Sequence, residues 1–440
     1  MNDVAPLACS ERGSAMGMTG FEKIVARASG VSHVQPGDVV YPVADLAFLH
    51  DGQVEASRRD LDDIGIDRLW DPSRVVFVTD HEVVYGTPRA ALRGQRIRET
   101  ARAWKIDHFY DVGQGGHGHI FPLERGMVGP GMFIFANDMH CTNFGAVGAV
   151  GLRAGGEIIS VLVKGSLWVK VPATIKVMLR GKLQQGVLGR DLGARLARDL
   201  ATRRFGVDAT YRVVELDGDL DQFDRAARVA LCNAPTEVGA ASVFIAPSKA
   251  ILAQANQAGN RTFEPMYSDP DAVYEAHGEI DLSALEPQVA LPGGPEKAVD
   301  ISDVVGVPIQ HAFIGACGSG MYEDLELAAD VLRGRKVAQG TRLFIVPGSV
   351  DSARRMGVEG LLAVFQNAGA IVLPSGCGPC AGGSMAPLTS GETSISTAAT
   401  NGAGRMGAKD ASIYLGSPAT VAASAVAGYI ADARQFDQTR

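Results

Sequence analysis

The segment with the clearest chemical potential is a pair of cysteines, Cys377 and Cys380, in the sequence Cys-Gly-Pro-Cys. This spelling is typical of thioredoxin-type redox pairs, in which the first cysteine begins a helix and the helix dipole lowers its pKa. Here Pro-Ser-Gly precedes the pair and Ala-Gly-Gly-Ser-Met-Ala-Pro follows it. Glycine and proline on both sides favour a loop over a helix start, so a redox pair is a weak hypothesis.

Zinc is a second hypothesis, because a structural zinc site takes four cysteine or histidine ligands. Cys317 would be the third ligand and His311 the fourth. However, the sequence contains no histidine after His311 and no second pair of cysteines at this spacing. Zinc is therefore also disfavoured.

An iron–sulfur cluster is the third hypothesis and the favoured one. Cys317 lies in Ile-Gly-Ala-Cys-Gly-Ser-Gly, just after an apolar run typical of a strand, and glycine-rich loops let backbone N–H groups point at cluster sulfides. Electron-transfer clusters normally have four cysteine ligands, so three would leave one iron without a protein thiolate. Such an iron can act as a Lewis acid. The alternative is three unrelated buried thiols, which a Cys-x-x-Cys in a Gly/Pro loop disfavours.

The other three cysteines lack such partners. Cys9 lies in an N-terminal stretch that we interpret as a loose leader, because it has no basic segment followed by an apolar core. Cys232 falls on a helical pattern and is expected to pack in the interior, and Cys141 follows His140 and is expected to border the site without ligating. Few, irregularly spaced cysteines predict a cytosolic protein rather than a disulfide scaffold.

The elements that must position these residues alternate between strands and helices, which predicts an α/β fold with parallel sheets covered by helices. Short β-rich runs predict buried strands at 75–79, 132–136, 158–163, 343–347 and 371–374. Helical patterns cover residues 89–104, 192–205, 221–233, 322–334, 352–368 and 419–434. The last of these should start with Ser417 as the N-cap and Pro418 in the first turn.

The length of 440 residues predicts two or three domains. Polar, glycine-containing stretches near 181–189 and 283–299 suggest three blocks: 1–185 with the Asp-His and second histidine motifs, 186–295 with Glu237, and 296–440 with the three cysteines and Arg405. The net charge of −8 argues against a nucleic-acid binder. We find no apolar run of the roughly 18–20 residues needed to span a membrane.

Several separated segments together resemble the aconitase superfamily, most closely the large subunit of 3-isopropylmalate dehydratase and homoaconitase-like enzymes. The likeness runs from residue 19 to residue 434. Its order and spacing are specific, and the segments are VQPGDVVYPVADL, FGAVGAVG, VPATIKVMLRGKLQQGV, ALCNAPTEVGA, IGACGSGMYEDL, GRKVAQGTRLFIVPGS, PSGCGPC and YLGSPATVAASAVAG. The resemblance implies three α/β/α domains with mainly parallel sheets around a central cleft.

The resemblance also implies a hydro-lyase, a dehydratase or isomerase, with a [4Fe–4S] cluster. Cys317, Cys377 and Cys380 match the three cluster ligands of the family. Asp80 and His81 match its Asp-His pair, in which the histidine serves the leaving hydroxyl and the aspartate orients it. This role is physically sound, because hydroxide leaves readily only when a Lewis acid and a positioned proton donor assist it.

Further positions match other active-site residues of the family. His119 matches a second histidine, Asp138 and His140 belong to its Asp-Ser-His signature, and Glu237 matches an acid near the cluster. Arg405 and His50 match substrate-contacting positions. In the family the base that takes the carbon-bound proton is a serine on a swivelling domain, which this chain lacks, so the resemblance implies a separate small subunit.

Two departures from the family pattern concern the substrate. Met139 stands where the family has a serine that meets substrate, which makes that wall apolar. Thr400 stands where the family has an arginine that clamps a substrate carboxylate, and a threonine cannot replace bidentate recognition. A further departure, Gly318-Ser319 in place of Thr-Asn, changes the loop after the first ligand. We therefore expect neither citrate nor strict 3-isopropylmalate specificity, but a 2- or 3-hydroxy acid with an apolar or unusual substituent.

Three rival hypotheses remain. The first is a cluster-free, RNA-binding homologue, against which the acidic net charge weighs. The second is a non-catalytic homologue, suggested by Met139, Ser319 and Thr400. The third is a divergent dehydratase that acts on a cyclic or phosphorylated hydroxy acid.

Overall fold

The computed structural model describes residues 17–436, so Cys9 and most of the predicted leader lie outside the described part. The strands are β1 Val39–Val40, β2 Leu46–His50, β3 Val75–Val78, β4 His108–Tyr110, β5 Phe133–Ala136, β6 Val150–Arg153, β7 Val169–Lys170, β8 Thr174–Arg180, β9 Val213–Gly218, β10 Ser242–Ile245, β11 Ala276–Asp281, β12 Gln288–Ala290, β13 Ala298–Asp300, β14 His311–Ile314, β15 Arg342–Ile345, β16 Ile371–Val372, β17 Thr393–Ser396 and β18 Ser412–Leu415.

The helices alternate with these strands. They are α1 Gly20–Ala28, α2 Asp51–Asp63, α3 Pro88–Ala103, α4 Phe121–Glu124, α5 Ile158–Lys164, α6 Gly189–Ala201, α7 Arg225–Asn233, α8 Lys249–Gly259, α9 Tyr322–Leu332, α10 Val350–Val358, α11 Leu361–Ala368 and α12 Pro418–Ala427. Within residues 17–436, no helix is long and apolar enough to cross a membrane.

Three larger sheets are mainly parallel, which confirms the predicted α/β class. The first has the order β4-β3-β2-β5-β6 and the second β10-β9-β8-β11, and both are parallel throughout. The third has the order β13-β12-β18-β17-β14-β15-β16, in which β12 pairs antiparallel with both neighbours. Strands β1 and β7 form a small antiparallel pair.

Parallel strands buried on both faces read as continuous apolar runs, and the core shows this. All four residues of β3 are buried, as are those of β5 and β14. One apolar cluster packs one face of the first sheet against the second sheet, and another packs its opposite face against α1, α2, α3 and α5. The third sheet has its own apolar clusters on its two faces.

The membership of the strands in the three sheets does not decide whether the predicted division of the chain into three blocks is correct. Strand β8, which ends at Arg180 inside the first predicted block, pairs in the second sheet, whereas the third sheet begins at Gln288. The blocks 1–185, 186–295 and 296–440 stay a prediction.

Three expectations for local structure were wrong. Residues 158–163 lie in helix α5, where Ile158, Val161 and Leu162 are buried at helical spacing, although the β-branched run suggested a strand. The helix expected at 352–368 is interrupted at Gly360, whose φ of +84° separates α10 from α11. The last helix begins as expected, capped by Ser417, but ends at Ala427 before Gly428.

Candidate functional site

The site begins at the carboxyl ends of three neighbouring strands of the first sheet. Strands β2, β3 and β5 are parallel, so the residues that end or follow them meet at one edge of the sheet. His50 ends β2, Asp80 follows β3 by two residues, and Asn137 follows β5. The His50 N–H donates to Asn137 Oδ1 at 2.9 Å, and this hydrogen bond holds the carboxyl ends of β2 and β5 together.

Asp80 orients two histidines. Its carboxylate is fully buried, lies 3.0 Å from His50 Nδ1 and 2.8 Å from His81 Nδ1, and accepts the Gly118 N–H at 2.9 Å. Because a carboxylate only accepts, each imidazole donates from Nδ1 and keeps Nε2 for other partners. Burial would raise the pKa of Asp80, but His50 and His81 hold it well below its usual value.

Asp51, which the sequence did not single out, holds the turn that carries Asp80 and His81. Its carboxylate accepts the backbone N–H groups of Asp80, His81 and Glu82 at 2.9, 3.2 and 3.1 Å. It also lies 3.4 Å from His81 Nδ1. Burial lowers the pKa of His81, but Cys377 and Asp80 outweigh burial and raise this pKa well above its usual value. His81 is thereby equipped to hold a proton.

His119 is completely buried, and neither of its ring nitrogens has a hydrogen-bond partner. Its ring centroid lies 4.7 Å from that of His50 and 5.8 Å from that of Phe144. Burial, assisted by the nearby His50, lowers the pKa of His119 well below its usual value, so the ring is neutral. Buried polar atoms are almost always paired, so an unpaired imidazole beside the rings of His50, His117 and His140 fits a position that meets a ligand.

His140 joins the first sheet to the segment after α7. Asp138 accepts the His140 N–H at 2.8 Å and lies 3.2 Å from its Nδ1, while His140 Nε2 lies 2.9 Å from Glu237 Oε1. Burial lowers the pKa of His140, yet Cys317, Asp138 and Glu237 raise it well above its usual value. His140 is thus held as a cation between two carboxylates.

The three cysteines come from the third sheet. Cys317 follows β14, and Cys377 and Cys380 follow β16; all three are free and buried. Each sulfur lies beside a nitrogen donor: Asn233 Nδ2 at 3.2 Å from Cys317, His117 Nε2 at 3.1 Å from Cys377, and Arg405 Nη2 at 3.6 Å from Cys380. The Cys377 N–H donates to the Asp80 carbonyl at 2.8 Å, so the cysteine loop contacts the Asp-His turn directly.

The three sulfurs suit a cluster better than a single ion. Among the described residues, groups of ligand atoms that all lie within 4.8 Å of one another are His50–Asp80–His81 and Asp80–His117–Cys377, but not the three cysteines. A zinc ion, with Zn–S bonds of about 2.3 Å, would draw its sulfurs to about 4 Å. A cluster spreads them over separate irons, and N–H donors at each sulfur stabilise thiolates.

His311, the fourth ligand of the disfavoured zinc hypothesis, is separated from Cys317 by the length of β14. It begins β14, at the end of the strand opposite to Cys317, and its Nδ1 lies 2.8 Å from Ser394 Oγ. The structure therefore does not support a zinc site built from His311. Glycine shapes the loop instead: Gly378 has φ +61°, and a Cβ there would meet Val346 Cγ2 at 2.7 Å.

Of the expected substrate residues, His50, Thr400 and Arg405 lie beside this centre, and Met139 also borders a separate cavity. Thr400 lies close enough to Glu237 to help lower the pKa of that carboxyl, and Cys380 chiefly raises the pKa of Arg405. The Nε of Arg405 is buried without a partner. Met139 borders a cavity of about 480 Å³ that none of the other predicted site residues lines, and its walls combine apolar side chains such as Leu152 and Trp168 with the charged Arg153 and Glu157.

A buried network behind Cys317 was also missed from the sequence. Asn143 Nδ2 donates to the Cys317 carbonyl at 2.8 Å, and Asn233 Nδ2 donates to Asn143 Oδ1 at 3.2 Å. Arg190 Nη1 donates to Asn233 Oδ1 at 3.1 Å, and its Nη2 donates to the Ala398 carbonyl. Asn233 lies in the quoted Cys-Asn-Ala-Pro-Thr-Glu segment, but nothing in the local pattern singled out Arg190.

Comparison with known proteins gives a consistent result. Residues 74–308 and 302–428 match the aconitase family (aconitate hydratase). The 3-isopropylmalate dehydratase large subunit 1 of Methanopyrus kandleri is 38% identical over 96% of this chain and 100% of its own length. The 3-isopropylmalate dehydratase large subunit of Heliobacterium modesticaldum is 36% identical, with the same coverage. A probable methanogen homoaconitase large subunit of Methanothermobacter thermautotrophicus is 37% identical over 96% of this chain and 98% of its own.

Proposed function

We propose a specific reaction from one premise that the comparisons establish: this chain belongs to the aconitase family. The proposal is that it is the large, catalytic subunit of an iron–sulfur hydro-lyase that dehydrates and rehydrates a 2- or 3-hydroxy acid. One observation carries it. Three free, buried thiols, each beside a nitrogen donor, face the Asp80–His81 pair and the His140–Glu237 pair within one site.

Cys317, Cys377 and Cys380 would hold a [4Fe–4S] cluster, and the iron that lacks a protein thiolate would supply Lewis-acid assistance to the departing hydroxyl. The donor set supports this assignment. Neutral-amide, imidazole and guanidinium donors at the three sulfurs offset the negative charge that a thiolate-bound cluster carries. Free thiols and such a cluster suit a reducing compartment, so we place the protein in the cytoplasm.

His81 is the proposed proton donor to the leaving hydroxyl. Its Nδ1 is engaged by Asp80, which leaves Nε2 as the atom that gives and takes the proton, and its raised pKa means that it holds that proton near neutral pH. Asp80 stabilises the charged ring and fixes its orientation. Neutral His119 and His50, whose ring is paired with Asp80, close the site from the side of the first sheet.

Glu237 and His140 form a second proton-holding pair on the opposite side. Glu237 stays ionised because His140, against the effect of burial, lowers its pKa. We propose that Glu237 accepts and returns the proton of the hydroxyl that is lost or added. Asp138 orients His140, and His140 holds Glu237 in place. Arg405, with an unpaired Nε, would bind a substrate carboxylate.

The base that removes the carbon-bound proton would come from a separate small subunit. The similar proteins from Methanopyrus kandleri and Heliobacterium modesticaldum are named large subunits, which supports a two-chain enzyme. A swivel-type partner that closes over the site is therefore part of the proposal. It would also exclude water from His81 and Glu237 during the reaction.

The substrate is proposed to carry an apolar substituent. At position 400 the threonine lies beside Glu237 and offers no guanidinium to a second carboxylate. At position 139 an apolar methionine replaces the family's serine hydroxyl, directly between Asp138 and His140. One carboxylate at Arg405 and an apolar group towards Met139 together describe a hydroxy acid with fewer carboxylates than citrate.

The test is turnover of the reconstituted two-subunit enzyme on a panel of hydroxy acids, from citrate and 3-isopropylmalate to acids with larger apolar groups. We expect the highest kcat/KM on an apolar-substituted acid and little turnover of citrate. The Thr400→Arg variant should gain activity on citrate relative to the apolar acid. Thr262→Arg, at an exposed site elsewhere, is the matched control.

Two outcomes would overturn parts of this proposal. Equal or better activity of the unaltered enzyme on citrate or 3-isopropylmalate contradicts the substrate assignment. A protein that holds its cluster and partner but turns over no acid of the panel is the non-catalytic homologue, and the catalytic assignment then fails.

A further inference from the structure

The loop that precedes α4 brings His117 into contact with the segment that follows β15 of the third sheet. The His117 N–H donates to the Gly348 carbonyl at 2.7 Å, and Gly116 forms an isolated β-bridge with Ser349. Gly116 has φ +106°, and a Cβ there would meet the Gly348 carbonyl oxygen at 2.6 Å, so this close approach requires glycine. His117 is therefore held against the third sheet by its own backbone.

The same loop fixes the protonation pattern of the His117 ring. The His119 N–H donates to His117 Nδ1 at 3.1 Å. A backbone N–H can only donate, so Nδ1 must present a lone pair, and the proton of the neutral ring is at Nε2. The nearest carboxylate oxygen, Asp80 Oδ2, lies 3.8 Å from Nδ1, which is outside hydrogen-bond range.

The protonated Nε2 points at a cysteine. It lies 3.1 Å from Cys377 Sγ, and His117 as a whole is only 3% exposed, so water does not compete for the proton. Among the three thiols, Cys377 is thus the one that receives its hydrogen bond from an imidazole. The backbone sets the tautomer of that imidazole. The other two receive an amide from Asn233 and a guanidinium from Arg405.

We propose that His117 donates a permanent N–H···S hydrogen bond to Cys377 and thereby sets the reduction potential and iron retention of the cluster. The inference rests on the proposed cluster. A hydrogen bond to a ligand sulfur stabilises negative charge, and the reduced cluster carries more of it, so the bond raises the potential. It also favours the thiolate over the thiol, which slows loss of iron.

The role is one of tuning rather than proton transfer. Nδ1 already accepts a backbone N–H, and Nε2 faces a sulfur within the buried cysteine loop. His81 and Glu237 remain the groups proposed to exchange protons with substrate. Loss of His117 should therefore change the properties of the cluster itself, and the change should be measurable without substrate.

The experiment compares the full chain, anaerobically reconstituted, with its His117→Phe and His117→Gln variants. Potentiometric titration followed by electron paramagnetic resonance gives the midpoint potential, and chelator-driven release of the three thiolate-bound irons gives a rate. We expect His117→Phe to shift the potential to a more negative value and to accelerate iron release roughly tenfold. His117→Gln, whose amide can still donate, should lie nearer to the unaltered chain. His311→Phe removes another buried histidine and should change neither readout.

Potentials and release rates in His117→Phe that equal those of the unaltered chain would overturn the inference. Equal changes in the Phe and Gln variants would also overturn it, since they would indicate packing rather than a hydrogen bond. If His117→Phe does not fold, His117→Gln and the shorter His117→Asn decide: only Gln should approach the unaltered potential. Failure of the unaltered chain to take up a cluster is a different result, because it removes the proposed function itself.

Discussion

His140 Nε2 lies 2.9 Å from Glu237 Oε1, and this contact joins the edge of the first sheet to the turn that follows α7. The turn begins directly after Asn233, which donates to Cys317 Sγ. The same short stretch therefore connects the proposed proton carriers with a proposed cluster ligand. The proposed catalytic centre is thus assembled from segments that are far apart in sequence.

Replacing Glu237 by glutamine tests the proton-holding pair. The substitution keeps the shape and removes the charge that His140 and Thr400 stabilise, so kcat should fall by roughly 10²- to 10⁴-fold, the usual contribution of a positioned acid or base. Iron and sulfide content should not change. Glu279→Gln, at an exposed carboxylate paired with Arg180, is the control. Retained activity in Glu237→Gln would remove Glu237 from the mechanism.

Asp80→Asn tests the orientation of His81. Asparagine has one acceptor oxygen where Asp80 serves His50, His81 and the Gly118 N–H together, and it cannot stabilise a charged ring. We expect a loss of about 10²- to 10⁴-fold in kcat with near-normal protein yield. Asp62→Asn, on the exposed end of α2, is the comparison. A variant with unchanged kcat would show that the Asp-His pair has no catalytic part.

Gly318→Ala tests the loop after the first cluster ligand. An added Cβ would meet Arg190 Nη1 at 2.2 Å and Asn233 Oδ1 at 2.8 Å, and both belong to the buried network behind Cys317. The loop or the network must shift, so the iron content after reconstitution should fall markedly. At Gly402 an added Cβ has no neighbour within 4 Å, and Gly402→Ala should retain full iron content. Equal iron in the two variants would contradict the packing argument.

Asp191 gives a pH dependence of stability. Burial raises its pKa from 3.8 to about 7, although the backbone N–H groups of Leu188 and Gln288 oppose this. Between these values the folded chain keeps a proton that the unfolded chain releases. Stability should therefore fall as pH rises through this window and level off above it, by at most about 4 kcal/mol.

The measurement for Asp191 is the thermal midpoint of the unaltered chain and of Asp191→Asn across pH 5 to 8. The variant cannot ionise, so its deficit relative to the unaltered chain should shrink as pH rises. Asp63→Asn, at the exposed end of α2, corrects for general effects of the substitution. A deficit that grows with pH would show the opposite sign of linkage.

The sequence predicted the parallel sheets that the structure shows, and the cluster site that it also predicted stays a prediction. Cysteine spacing and glycine-rich flanks indicated a cluster, and alternating strands and helices indicated parallel sheets. Asp51, Arg190 and the ring orientation of His117 could not be predicted, because each depends on contacts between distant segments. Residues 158–163 show a second limit: a short β-branched run has the same composition in a strand and in a buried helix.

The most direct test of the central claim is the ⁵⁷Fe Mössbauer spectrum of the anaerobically reconstituted chain with its small subunit, recorded with and without a substrate that turns over. Three thiolate ligands predict a [4Fe–4S] spectrum in which one iron site shifts when substrate is added while the others do not. A spectrum without a cluster, or a cluster whose irons all remain unchanged with substrate, would contradict the account.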